Sequence, residues 1–435
     1  MDTTFDAIII GTGIIGSATA FELAKLGYKV LSVDRNAQIG HGSTSSSCAA
    51  IRMHYSTFIG TATAWEGYHY WANWADHLGL PSNATLATYQ EYGCLVMKTP
   101  ANGQLVKHTQ MSHQLGIPTQ DWSRQDILDR LPIYALDSYA PAKLMSDEAF
   151  GEPNGKQLEG GVFWPNAGYV NDPALAAQNL AKAATLNGAQ TLLKATVTEI
   201  LQEAGQVKGV KLASGESLFA PIVVNVAGPG SNIINAMAGV LDDMSIQTKA
   251  LKQEVVYLPS PDGFDFERDG VIVSDSDIDI YCRPDAGNNI MLGTQEPPCD
   301  AKVWVDDELD WDDNFSDQWT TQALRYAQRV PTIGIPSRMQ GIVSLYDVST
   351  DWIPVYDKSS LGGFYMTCGT SGNQFKNAPL VGKIMAGIID HCEAGHNQDA
   401  EPLQFRLPYI DQVIDTSFYS RKRAVNQESS FSVVG

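Results

Sequence analysis

No apolar stretch in this 435-residue sequence reaches the roughly 18 residues that a membrane-spanning helix needs, and the opening MDTTFDAIIIGTG has neither the basic start nor the cleavage site of a secretory signal. A soluble, cytoplasmic protein is the expectation. Positive charge is scarce: 29 lysines and arginines face 49 aspartates and glutamates, and the formal net charge of -20 argues against nucleic acid or an anionic membrane as partner. An anionic small molecule held in a local basic pocket stays open. The six cysteines (Cys48, Cys94, Cys282, Cys299, Cys368, Cys392) are scattered without a CxxC, and no HxxxH or HExxH spacing occurs. Neither a disulfide framework nor a metal site is therefore expected.

What is present is concentrated at the start. In FDAIIIGTGIIGSATAFELAKLGYKVLSVDR the apolar run Ala7 to Ile10 predicts a buried parallel strand. Gly11, Gly13 and Gly16 follow, then an amphipathic stretch to Lys25 closed by Gly27, then a second strand from Tyr28 to Val33 ending on Asp34. Gly11 permits the tight turn, Gly13 lets backbone approach a pyrophosphate, and Gly16 lets helix and strand pack closely. Phosphate then sits at the helix N-terminus, where free N–H groups and the dipole favour negative charge. Asp34, 18 residues after Gly16, is spaced to take the ribose hydroxyls of an adenosine. Its charge repels a 2′-phosphate, so NADP is disfavoured despite the neighbouring Arg35. A lone GxGxxG is weak evidence; set in strand, glycines, helix, strand and acid it predicts a dinucleotide site, with NAD or FAD undecided.

After Asp34 the alternation of strands and helices stops. The polar loop GHGSTSSSCAAIRMHYS precedes a predicted helix from about Phe58 to Leu78, where Trp65, Tyr68, Trp71 and Trp74 at helical spacing read as packing residues. Residues 80–150 read as an insertion with short strands and a helix near Arg124 to Arg130. Asp172 caps a further helix with Pro173 at its first position, ended by Gly188. Hairpins turn near Gly205 and at Ser214-Gly215, and PIVVNVAGPGS reads as a buried strand entering a glycine turn. From about 240 to 335 alternating segments predict a second, antiparallel sheet and a helix around Gln318 to Arg329. A strand, the glycine loop GTSGNQFKNAP and a last helix lie between Ser344 and Cys392. The nucleotide-binding part is thus expected to be discontinuous.

These segments, with IYCRPDAGNNIMLG and GFYMTCGTSGNQFKNAPLVGKIMA, occur in the order seen in the D-amino-acid oxidase superfamily of FAD-dependent oxidoreductases. Within it the chain resembles the branch of sarcosine oxidase, sarcosine oxidase beta subunit and dimethylglycine dehydrogenase, apart from residues 80–150 and the tail after about 400. The resemblance implies an α/β architecture: a discontinuous glutathione-reductase-type, Rossmann FAD-binding domain (1–80, 151–235 and 336–400), an α+β substrate domain on an antiparallel sheet (81–150 and 236–335), and a C-terminal tail (401–435). It also implies oxidation of a C–N bond next to a carboxylate in a secondary or N-alkylated amino acid, giving an imine that hydrolyses.

Residue by residue, the resemblance implies FAD contacts at Gly11, Gly13, Ile14, Gly16, Asp34 and Arg35. Gly42, Ser43, Thr44 and Ser45 match the loop beside the pyrophosphate and ribityl chain, and the backbone of Val197 matches an adenine contact. Ala227 and Gly228 belong to the second glycine turn, and Gly369, Ser371, Gly372, Asn373, Gln374 and Lys376 to the loop at the flavin ring. Arg52 and Lys376 match residues that hold the substrate carboxylate; an ion pair within the fold and a surface position are their bland readings. His54 is a candidate base. Tyr281 and Arg283 match a pair near the flavin, with Arg283 either a second cationic contact or a brace for its strand. Met291 stands where monomeric sarcosine oxidases carry an oxygen-activating lysine, which favours electron transfer to a protein or quinone over oxygen. Ser344 replaces their flavin-linked cysteine, and serines fill the stretch after Gly42 where dimethylglycine dehydrogenase has its tethering histidine, so FAD is expected to be non-covalent. The alternatives are a 2-hydroxy-acid or polyol-phosphate dehydrogenase of the same superfamily, and a flavin-holding subunit of a larger complex.

Overall fold

In the computed structural model, which describes residues 3–433, the glycine-rich start forms the centre of a six-stranded sheet. The strand Ala7–Ile10 is buried along its whole length, as expected for a strand covered on both faces. It pairs in parallel with Val30–Val33 on one side and Ile222–Asn225 on the other. Gln190–Leu192 and Phe364–Cys368 extend the parallel sheet outward, and Val355–Lys358 closes one edge antiparallel. The helix Ile14–Lys25 packs between Pro173–Leu186 and Ala378–Glu393. That crossing is close because Gly382 has no side chain: a Cβ there would lie 2.6 Å from the Ala18 carbonyl oxygen. The helix Pro173–Leu186 starts as its sequence dictates, with the Asp172 carboxylate accepting the Leu175 N–H at 2.8 Å and a proline in the first turn.

A nine-stranded sheet forms the second layer, running from Trp304–Val305 through Thr248–Pro259, Asn289–Thr294, Ile280–Asp285, Ile272–Asp275, Cys94–Met97 and Gly160–Trp164 to Gln120–Ser123. The ninth strand, Gly341–Ser349, pairs with the long strand Thr248–Pro259. The expectation of an antiparallel sheet needs one correction: Ile272–Asp275 and Cys94–Met97 are parallel. Their long separation in sequence leaves no hairpin to impose the antiparallel sense. Gly160–Trp164 pairs with Cys94–Met97, so the 151–235 stretch supplies strands to both sheets.

The predicted helix from Phe58 to Leu78 breaks at Asn73 into Phe58–Ala72 and Trp74–Leu78. Asn73 leaves helical geometry while its side-chain amide donates to the His69 carbonyl at 2.8 Å, a local bond that competes with the helical ladder. The C-terminal stretch is bolted to the core rather than trailing from it. The fully buried Arg421 guanidinium meets Asp357 at 2.9 Å and Asp399 at 2.8 Å, and Arg423 meets Asp351 at 2.7 Å. No helix among the described residues is long and apolar enough to cross a membrane.

Candidate active site

Between Ala7–Ile10 and Ile222–Asn225, where the order of strands reverses, the chain opens a cavity of about 600 Å³ beyond the carboxyl ends of the strands. Two glycines shape its floor. Gly11 has φ +116°, and a Cβ there would lie 2.4 Å from the Val226 carbonyl oxygen; a Cβ on Gly16 would lie 2.1 Å from the Gly11 oxygen. Gly13, Ile14 and Gly16 line the cavity at a helix start that carries no acidic residue and no side-chain cap of its own. Thr44 reaches across from the serine-rich loop, its Oγ1 accepting the Ile14 N–H at 3.0 Å.

Asp34 is held at the cavity edge. Its Oδ2 accepts the Thr12 N–H at 2.7 Å and the Thr12 hydroxyl at 2.8 Å, while Oδ1 accepts the Asn36 N–H at 2.8 Å. Arg35 lies 2.7 Å from Glu308, so its charge is already balanced and offers no open partner to a 2′-phosphate. Val197, Gly42, Ser43, Ser45, Ala227 and Gly228 line the same space. The glycine cradle, the helix start and the fixed acid therefore fit an adenine dinucleotide lacking a 2′-phosphate, such as FAD.

At the far end the structure divides the glycine loop. Gly372 and Gln374 line the cavity with Phe375, whereas Gly369, Ser371, Asn373 and Lys376 lie behind it. Ser371 is wholly buried; its N–H donates to the Asp347 carbonyl at 2.7 Å and its hydroxyl to the Gly369 carbonyl at 3.0 Å, so it shapes the loop. Burial pushes the Asp347 carboxyl up to about 7, opposed by the Gly369 and Thr370 N–H groups it accepts.

Arg52 and Lys376 converge on one aromatic ring. The Arg52 guanidinium lies 4.7 Å and the Lys376 Nζ 4.5 Å from the centroid of Tyr55, whose ring quadrupole attracts the guanidinium and favours the lysine when it is protonated. Lys376 is buried, and among the described residues no acid pairs with it; its Nζ donates to the Asn373 carbonyl. Burial, reinforced by Arg52, holds its pKa well below the usual lysine value. Trp71 fixes the backbone here, its indole N–H donating to the Lys376 carbonyl at 2.7 Å while its ring stacks on Phe375. Arg52 donates to the His54 carbonyl at 3.3 Å and to the Val433 carbonyl.

The other sequence candidates separate. Tyr281 lines the cavity beside Tyr346; both are half-buried, and that burial raises the pKa of each. Arg283 lies outside the cavity lining, and its contacts match the second of its two readings, a brace for its strand. Its donors go to the Cys48 carbonyl at 2.8 Å, the Pro284 carbonyl at 2.6 Å and Asp285 at 2.8 Å. His54 does not line the cavity either: its ring packs 4.9 Å from Trp164 and 5.9 Å from His108, with both nitrogens unpartnered. Burial, then Arg52, lowers its pKa well below the usual value and leaves the imidazole neutral. Met291 pairs with Arg283 across the sheet and shares the face of Tyr281, by the two-residue alternation of strands. Sequence reasoning passed over Tyr55, Tyr346 and Asp347; period-two spacing from Ser344, which lines the cavity, points to Tyr346 alone.

A parallel sheet with a glycine-rich dinucleotide cradle, roofed by a large second sheet with a long cavity between, defines a dinucleotide-binding protein. Residues 6–388 match the family model of FAD dependent oxidoreductases (DAO), and the chain belongs to that family. It is 22% identical over 395 residues to sarcosine oxidase subunit beta of Rhodobacter capsulatus, covering 88% of this chain and 84% of that one. It is also 22% identical over 407 residues to glycine oxidase of Geobacillus kaustophilus, covering 90% and 95%. The crystal structure of that glycine oxidase superposes with a TM-score of 0.71 at 20% identity, over 92% of this chain and 98% of the other. L-proline dehydrogenase from P. horikoshii gives 0.73 at 20% identity, over 92% and 96%.

Proposed function

We propose that this FAD-dependent enzyme oxidises an amino acid, of the glycine or N-alkyl glycine type, at the carbon between amine and carboxylate. The observation that carries the reading is the pair of basic side chains on Tyr55, which lack an acidic partner among the described residues; Lys376 follows the cavity-lining Phe375 in the chain, while Arg52, Tyr55 and Lys376 lie just outside the lining itself. Arg52 and Lys376 would hold the carboxylate and so fix the position of the carbon that reacts. FAD, when bound, supplies the acceptor for the hydride equivalent. Tyr281 and Tyr346 stay protonated and offer hydroxyls rather than charge. A neutral His54 turned onto Trp164 is not placed to act as a base, which counts against the hydroxy-acid alternative.

Anaerobic addition of N-methylglycine, glycine or proline is expected to bleach the flavin band. If 2-hydroxy acids bleach it and no carboxylated amine does, the substrate class is wrong. The bleached enzyme is expected to recolour slowly in air and quickly with a quinone, because Met291 puts no cation on the cavity face of its strand; rapid peroxide formation would remove that argument.

The depressed Lys376 pKa gives a pH dependence of known sign. Without an anion Lys376 loses its proton at a lower pH than a free lysine, and a bound carboxylate favours the charged form again. Anion binding thus takes up a proton, and affinity must fall as pH rises through the free-site pKa, by up to about tenfold per unit. Acetate titrated against the flavin spectrum isolates this effect from the substrate amine. Lys376→Met should flatten the slope; an equal slope in that variant would assign it to another group.

A further inference from the structure

The chain's last described residues reach into the site just assigned. Up to Ser429 the C-terminal stretch is firmly held: Arg421 and Arg423 occupy buried ion pairs, the Asn426 N–H donates to Asp351 at 3.2 Å, and the Ser429 hydroxyl donates to the Asp351 carbonyl at 2.6 Å. Beyond it no buried ion pair holds the described residues, and the Ser430 and Ser432 hydroxyls bond each other at 2.9 Å. The Ser430 N–H donates to the Ser56 hydroxyl at 3.2 Å, the Phe431 N–H to the Ser429 hydroxyl at 3.1 Å, and Phe431 is 40% exposed. Lys107 and Glu428 add only an exposed pair at 3.5 Å. Val433 then packs on Leu251, Val348 and Trp352, and its carbonyl accepts from Arg52 Nη2.

We propose that residues 430–433 form a displaceable strap over the amino-acid site, in which the Val433 carbonyl holds Arg52 until a carboxylate takes its place. This rests on the reading of Arg52 as the carboxylate's partner. Both bonds have a charged donor, but only a carboxylate adds an opposite charge and a second oxygen, so it alone can meet the guanidinium fork bidentately. The anion therefore has the differential affinity for the open form that any such shift requires. The contrast between the stretch before Ser429, fixed by buried ion pairs, and the one after it, where the described residues have none, places the hinge at Ser429-Ser430.

Hydrogen exchange of the holoenzyme, read by mass spectrometry with and without acetate, tests this directly. Acetate is expected to speed exchange of the Ser430 and Phe431 amides about tenfold while leaving 416–427 unchanged. Val433→Gly, which empties the seat on Leu251, Val348 and Trp352, is expected to tighten acetate several-fold in the flavin difference spectrum. If acetate binds, Arg52→Ala weakens it, and the strap amides stay as slow as before, the strap is overturned while the carboxylate site stands. If acetate perturbs the flavin of neither the wild type nor Val433→Gly, both are overturned.

Discussion

Lys376→Ala is expected to leave the enzyme yellow while raising the concentration of carboxylated amine needed for half-maximal bleaching about 30- to 1000-fold. That span corresponds to the roughly 2–4 kcal/mol commonly lost when one member of a buried, hydrogen-bonded charge pair is removed. Lys376 sits behind the loop that lines the cavity, and its partner at present is the Asn373 carbonyl, so FAD contacts should survive. Arg52→Ala should act in the same direction. Because both cations share the Tyr55 ring, the double variant is expected to lose less than the two single losses combined. Two controls separate a site effect from a folding effect. Lys376→Met keeps the side-chain volume and should show the same rise, and an amine without a carboxylate should bleach equally in wild type and variants. An unchanged requirement for the carboxylated amine would make Lys376 a packing residue, its charge suppressed by burial.

The parts of this molecule that were legible in sequence are those whose physics is local. Gly16 announces a tight turn because a Cβ there would strike the carbonyl oxygen of Gly11 five residues back, and Asp172 with Pro173 announces a helix start within four residues. Asp34 was legible by spacing, since the strand Val30–Val33 must carry it to the same end of the sheet as the glycines. Arg52 and Lys376 came only through family resemblance; nothing in the pattern of either segment says that they share the ring of Tyr55. Arg283 shows why a motif alone misleads: its Nε and Nη1 go to a carbonyl of the 42–50 loop, to the next residue's carbonyl and to an acid two residues on, and only the fold reveals that it does not line the cavity. The contact between Arg52 and Val433 joins positions 381 apart in sequence and involves a backbone carbonyl, which leaves no trace in residue type. The break at Asn73 is local in origin, yet the aromatic period running through it concealed it.

Gly11→Ala is expected to purify colourless, with FAD affinity lower by about two to three orders of magnitude. Two independent costs meet at this position. The backbone has φ +116°, where an L side chain is strained by at least the roughly 1–2 kcal/mol of a left-handed residue, and the new methyl group would lie 2.4 Å from the Val226 oxygen. Relieving that overlap costs typically 1–3 kcal/mol more and moves the turn away from the helix start that faces the cavity. Gly27→Ala provides the matched control: it has φ +91° and nothing within 4 Å of a built Cβ, so it carries strain without collision. That variant should lose a little stability and keep its colour. Gly13→Ala falls between them, because the nearest atom, Thr44 Oγ1 at 3.0 Å, belongs to a side chain that can rotate. Circular dichroism and the visible spectrum of all three distinguish loss of cofactor from loss of fold. The same series tests the mode of attachment, for with Ser344 in place of a linking cysteine the proposed non-covalent FAD must leave with the cradle. A folded Gly11→Ala enzyme that stays yellow after denaturation and gel filtration would show a covalent tether instead.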